Sequence, residues 1–393
     1  MKLLSDKVMH PFFLAGRLIL SLTGMLILGA CASIPPVSVT PPPLKNAGPA
    51  VQVDDVDVLA VSSAMEAFLD RYVLKYENPQ TRLELLTMAI TRSGVLGFEY
   101  DETRTMTASE AFDARRGNCV AFSNLMVALA RRADLKASYQ EVFLSPEWSD
   151  YEDDTVLLYK HVNVVVETRH MSWLVDVSGV KIRQSDRRRL VEDSYAKTLY
   201  LNNIAVEALL DNDLPRAFAY VNSAIETDRN VIDPWVNLGV IYGRNEQLDD
   251  AAFAFQQALR LDAGDHSAMS NLYEVYLEQG NLQAAADLET RVERYRRKNP
   301  YYLLRLSDEA LAQEQYAESI SLLQKAIKKK EDDHKLYFAL AKTQYLSGEV
   351  AKAQSSLVRA RELAPKDMIA YYDRPLDELI SDEQVADEHL NPR

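Results

Sequence analysis

The sequence predicts an α+β domain followed by an all-α solenoid. Between residues 61 and 192, helix-spaced apolar runs give way to short segments that alternate apolar and polar positions. From residue 198 to residue 367, small and apolar positions recur every 34 residues without a gap. Ahead of both lie an apolar leader and a proline-rich stretch that fit neither pattern. A chain of 393 residues is too long for one small core and matches this two-module reading.

The leader places Lys2, Lys7 and Arg17 before an apolar run from Leu18 to Leu28, then Gly29-Ala30-Cys31. That order of charge, short apolar run and small residues is a signal peptide over residues 1–30, and the run is too short for a comfortable membrane span. Leu28-Gly29-Ala30-Cys31 resembles a bacterial lipobox. The resemblance implies cleavage before Cys31 and lipidation (palmitate included) of its thiol. Ala32 in place of Asp implies retention at the outer membrane, facing the periplasm. Residues 31–60 carry Pro35, Pro36, Pro41, Pro42, Pro43 and Pro49 among small and polar residues, which favours an extended spacer.

In the first domain, apolar spacing predicts a helix within residues 57–75, with Ser62 or Ser63 as N-cap. A second helix is expected over about 79–94, with Pro79 near its start and Gly94 near its end. A short helix near Ala108–Arg115 then delivers the chain to Gly117-Asn118-Cys119. A further helix begins there, with Ala121, Leu125, Ala128 and Leu129 on one stripe and Asn118 as N-cap. Cys119 therefore sits in a first turn, where exposed N–H groups and the helix dipole favour a thiolate. A buried structural cysteine is the competing reading. Strands follow over 137–144, 156–166 and 172–177. His161 shares a face with Asn163 and Val165, and Asp176 shares one with Leu174. If the last two strands pair, His161 lies beside Asp176, as a Cys-His-Asp nucleophile requires. An acidic cluster from Glu147 to Asp154 reads as a solvated turn, and the basic run Lys181–Arg189 as a solvated or interdomain face.

These segments together resemble the transglutaminase-like superfamily. The resemblance rests on GNCVAFSNLMVALARRADLKA, KHVNVVVE and WLVDVS, with Cys119, His161 and Asp176 in that order at separations of 42 and 15 residues. It implies a papain-like α+β fold over residues 61–192. It also implies Cys119 as nucleophile, His161 as general base and acid, and Asp176 as the residue that orients the ring. The chemistry implied is attack on an amide or ester carbonyl through a thioacyl intermediate, with no metal or organic cofactor. For the oxyanion, the backbone N–H of Cys119 is the one donor named.

The 34-residue period runs through Ala217, Ala251, Ala285, Ser319 and Ala353. It continues seven positions on through Ala224, Ala258, Val292, Ala326 and Ala360, and earlier in each unit through Ile204, Leu238, Leu272, Leu306 and Leu340. This is the signature of tetratricopeptide (TPR) repeats. The second unit matches best, with Trp235, Leu238, Gly239, Tyr242, Ala251, Phe255 and Ala258. Five units over 198–367 are expected, then a cap or tail over 368–393 with a helix near Leu376–Ala386. A concave groove would expose Leu277, Tyr301, Leu304, Phe338 and Tyr345 to a peptide or protein partner.

The sequence thus points to a lipid-anchored cell-envelope cysteine enzyme acting on amide or acyl bonds, whose repeats recruit a partner. The alternative is a non-catalytic envelope adaptor built on an inactive transglutaminase-like scaffold. A net charge of -14 argues against nucleic acid as partner, and leaves the membrane to the lipid anchor alone. Substrate and oligomeric state stay open.

Overall fold

The computed structural model describes residues 40–46, 51–144, 160–168 and 171–381. The leader, Cys31 and the acidic cluster from Glu147 to Asp154 lie outside the described residues. The chain divides into two units, one running to Val275 and one starting at Tyr276.

Local chemistry starts the helices of the first unit. Helix α1 (Ser63–Tyr72) is capped by Ser62, whose Oγ accepts from Met65 N, and it buries Met65, Phe68 and Leu69. Helix α2 (Pro79–Thr91) has proline at its first position, where no N–H is needed, and Asn78 Oδ1 accepts from Gln80 N and Thr81 N. Two-residue strands β1 (Glu99–Tyr100) and β2 (Arg116–Gly117) pair in parallel around helix α3 (Ala108–Ala114), which opens with a Thr107/Glu110 capping box. Helix α4 (Cys119–Arg132) is buried at every position from Val120 to Ala130. Burial on every side, polar Ser123 and Asn124 included, marks it as the central helix of the domain.

The sheet packed on α4 has the antiparallel order β5-β4-β3-β6, from β3 (Lys136–Phe143), β4 (Lys160–Glu167), β5 (Ser172–Val175) and β6 (Arg187–Val191). The basic run, expected as a solvated or interdomain face, is in part this edge strand β6. Arg187 lies over the Phe143 ring at 3.9 Å, and Arg189 Nη2 donates to Glu141 at 2.7 Å. Arginines on an edge strand discourage pairing with a further strand.

Ten repeat helices follow: α5 (Asp193–Leu210), α6 (Leu214–Thr227), α7 (Ile232–Arg244), α8 (Leu248–Leu261), α9 (His266–Glu278), α10 (Leu282–Arg296), α11 (Pro300–Ala312), α12 (Tyr316–Ile327), α13 (His334–Leu346) and α14 (Val350–Leu363). The repeating small residues sit at the crossings, with Ala217, Ala251, Ala285, Ser319 and Ala353 at most 2% exposed. A Cβ on Gly239 would meet the Phe255 ring at 2.5 Å, so α7 and α8 approach where only glycine fits. No linker occupies residues 193–197. Helix α5 follows β6 directly, and Tyr195, Ala196, Leu199 and Tyr200 belong to the core of the α+β domain.

In the second unit, short helix α15 (Ile369–Tyr372) and a helical stretch over residues 376–381 close the repeats. Phe338, expected in the groove, is instead buried against Tyr372, Leu376 and Leu379, because the cap helix needs an apolar seat. Leu277 and Tyr345 are exposed, while Tyr301 Oη is engaged by Asp333 and Lys330. The proline-rich stretch also departs from a free spacer: residues 42–45 are hydrogen-bonded to α7 and the turn after it. No helix of the described residues is long and apolar enough to cross a membrane.

Candidate active site

Asn118 builds the start of α4. Its Oδ1 accepts from Val120 N at 3.1 Å and Ala121 N at 3.0 Å, while its Nδ2 donates to Thr105 Oγ1 at 2.8 Å. Its own N–H donates to Arg104 O. The turn before it requires glycine, since a Cβ on Gly117 would come within 2.5 Å of the Ala121 Cβ. Cys119 is consequently the first helical residue, partly exposed and unbridged.

The sheet supplies the other two groups. Val164 pairs with Val175, and one residue further that register sets Asp176 opposite Asn163 and diagonal to His161. Asp176 Oδ2 lies 2.5 Å from His161 Nε2. The Cys119 thiol stands beside the same imidazole and helps to raise its pKa. The structure therefore brings Cys119, His161 and Asp176 together as the spacing predicts.

Electrostatics favour a charged ring. Burial works against imidazolium, but the bond to Asp176 and the Cys119 thiol beside the ring outweigh it and hold His161 up to about 9. Burial likewise works against the Asp176 carboxylate. The bond to His161, with further bonds to Ser178, keeps it below the usual carboxylate range. The His161 side chain is 4% exposed and that of Asp176 19%, so water screens this pair little.

Three further residues complete the arrangement, and sequence reading passed over their roles. Ser178 N and Oγ donate to Asp176 Oδ1 at 2.8 and 2.7 Å, fixing the carboxylate that faces His161. Its trace in sequence is the Asp-Val-Ser-Gly run, an Asx-turn composition. Ser123, one turn along α4 from Cys119, donates to Val162 O at 3.3 Å and so ties the helix of Cys119 to the strand of His161. Asn163 is 1% exposed, and its amide oxygen and nitrogen have no partner among the described residues. Neither of the latter two carries a local sequence signal, since each depends on a contact across the fold.

The first repeat reaches this site. Thr105, which bonds Asn118, donates its N–H to Glu207 of α5 at 3.2 Å.

Comparison with known proteins follows the same division. The transglutaminase-like superfamily matches residues 71–178, and two tetratricopeptide repeat families match residues 236–301 and 310–373. Among curated proteins no relative matches the chain. Among solved structures, the chain is similar to MamA (residues 41 to the end) from Desulfovibrio magneticus RS-1, at 18% identity and a TM-score of 0.28, covering 42% of this chain and 94% of that one. It is also similar to YrrB, described as a TPR protein with an unusual peptide-binding site, at 18% identity and a TM-score of 0.27, covering 45% of this chain and 91% of that one. The chain carries a transglutaminase-like domain over residues 71–178, followed by tetratricopeptide repeats over residues 236–373.

Proposed function

We propose that the protein is a cysteine enzyme of the cell envelope that cleaves or transfers acyl groups from amide or ester bonds. The observation that carries this reading is a single imidazole bonded to the Asp176 carboxylate and set beside the Cys119 thiol, which itself opens a buried helix. A structural cysteine has no need of such a partner pair.

The Cys119 proton moves to His161, and the sulfur attacks the carbonyl carbon of the substrate. The charge that develops on the carbonyl oxygen falls within reach of the Cys119 backbone N–H at the positive end of α4. Protonated His161 donates to the leaving nitrogen or oxygen as the carbon–heteroatom bond breaks, leaving a thioester on Cys119. Water or an amine then loses its proton to His161, attacks the thioester and releases the thiol. Asp176, gripped by Ser178, keeps the ring oriented and offsets its charge throughout.

Attachment through Cys31 at the outer membrane, with the repeats engaging a protein or peptide partner in the periplasm, belongs to the same proposal. Metabolic labelling with palmitate, compared between the wild type and Cys31→Ser, tests the anchor. For the chemistry, Cys119 should react with iodoacetamide near neutral pH much faster than a free thiol, and His161→Ala should abolish the excess. Reaction at the ordinary thiol rate would overturn the enzyme reading and leave an inactive scaffold with repeats.

A further inference from the structure

The tetratricopeptide stack of the first unit already holds a peptide, and that peptide belongs to this chain. Residues 40–46 read Thr-Pro-Pro-Pro-Leu-Lys-Asn. Three successive prolines remove three N–H donors and bias the segment to an extended conformation, so its main chain meets a partner chiefly through carbonyl oxygens. The second repeat supplies matching groups. Tyr242 Oη donates to Pro42 O. Gln247 Nε2 donates to Pro43 O at 3.3 Å, while Gln247 Oε1 accepts from Lys45 N at 2.7 Å. Asn245 Nδ2 donates to Lys45 O at 2.9 Å, and the Lys45 ammonium lies 3.8 Å from Asp250.

These side chains are set for the task. Asn245 and Asp250 both bond the Gln247 amide, at 2.6 Å each, and fix the plane in which it meets the peptide. Gln247 is 4% exposed and stands at the N-cap of α8, yet makes no side-chain cap bond. At the same place in other repeats, Asp213 and Asn281 cap their own helices. The full set is confined to one repeat. Positions equivalent to Tyr242, Asn245, Gln247 and Asp250 carry Ala208, Asp211, Asp213 and Arg216 in the first repeat, and Gln344, Ser347, Glu349 and Lys352 in the fifth.

We propose that Tyr242, Asn245, Gln247 and Asp250 form a binding site for an extended Pro-Pro-X-Lys peptide, occupied in cis by Pro42–Lys45. The segment acts as a strap that any external peptide of the same chemistry must displace. Held on a short tether, it competes at an effective concentration in the millimolar range, about what a short flexible linker provides.

The test uses the full chain and a version in which residues 40–46 are replaced by a Gly-Ser run of equal length. A fluorescent TPPPLKN peptide is titrated into each and followed by anisotropy. The strapless chain should bind it at least about tenfold more tightly than the unaltered chain, which shields its own site. A TPPPLEN peptide should bind the strapless chain at least about tenfold more weakly, because its carboxylate meets Asp250, and Asp250→Lys should reverse that preference. Equal affinity of the two chains for TPPPLKN, or equal affinity of the strapless chain for the two peptides, would overturn the proposal. The peptide exchange alone decides the second point even if Asp250→Lys does not fold.

Discussion

A carboxylate that meets an imidazole across a strand pair is the residue-scale device on which the proposed chemistry turns. Ser178 holds one Asp176 oxygen and His161 the other, so the ring has one orientation to offer the sulfur. The pH behaviour follows from this. His161 is held above its unfolded value of 6.5, so its contribution to folding is complete below that value and is lost as pH rises through about 9. Asp176 is held below 3.8, so its contribution is present above that value and is lost as acid protonates it. Urea unfolding of the wild type and His161→Ala should therefore differ most between about pH 4 and 6.5, and the gap should narrow as pH rises to about 9. Turnover should fall over the same alkaline range, because the leaving group loses its proton donor. A stability gap that widens with rising pH would contradict the ion-paired site.

At the scale of elements, α4 carries the site, and its first turn depends on one side chain. Asn118 accepts two backbone N–H groups and also donates to Thr105. Asn118→Ala should cost about 1 kcal/mol in chemical unfolding, as loss of an N-cap does. The same change should slow alkylation of Cys119, since the cap positions the turn that presents the sulfur. Unchanged reactivity in a destabilised variant would show that the cap serves the fold alone. The glycines act in the same way: Gly117 and Gly239 stand where a Cβ would meet a neighbouring side chain at 2.5 Å.

Across the first unit, the transglutaminase-like domain and the first repeat share one core instead of meeting across a linker. Helix α5 contributes Tyr195, Ala196, Leu199, Tyr200, Leu201 and Ile204 to that core. Glu141, 1% exposed on β3, is satisfied by Tyr195 of α5 at 2.7 Å and by Arg189 of β6, and Arg131 of α4 pairs with Asp193 through both terminal nitrogens. Cutting the chain after Glu192 would leave that carboxylate short of a partner and uncover an apolar face. A chain ending at Glu192 should show no cooperative unfolding transition, whereas one ending at Leu261, with two complete helical hairpins, should retain it. Cooperative unfolding of the shorter chain would mean that the domain folds without its first repeat.

What the amino-acid order determined by itself was everything that obeys a local rule. The N-cap Asn118, the placement of Cys119 in a first helical turn and the alternation that puts His161 and Asn163 on one strand face arise within a few residues of chain, and the 34-residue period is legible as spacing alone. Cys119, His161 and Asp176 could be singled out as candidates because order and spacing survive in sequence even when geometry does not. Only the tertiary structure decided which strand register sets Asp176 against His161, and that Ser123 and Ser178 secure the two sides of the site. Only it turned the basic run into an edge strand, withdrew Phe338 beneath the cap, merged α5 into the first core and seated Pro42–Lys45 on the second repeat. Apart from the Ser178–Asp176 contact, which spans two residues, each of these joins residues far apart in the chain. Such pairings are selected by which distant surface can satisfy a buried polar group or cover an apolar one, and neither condition is written in any single segment.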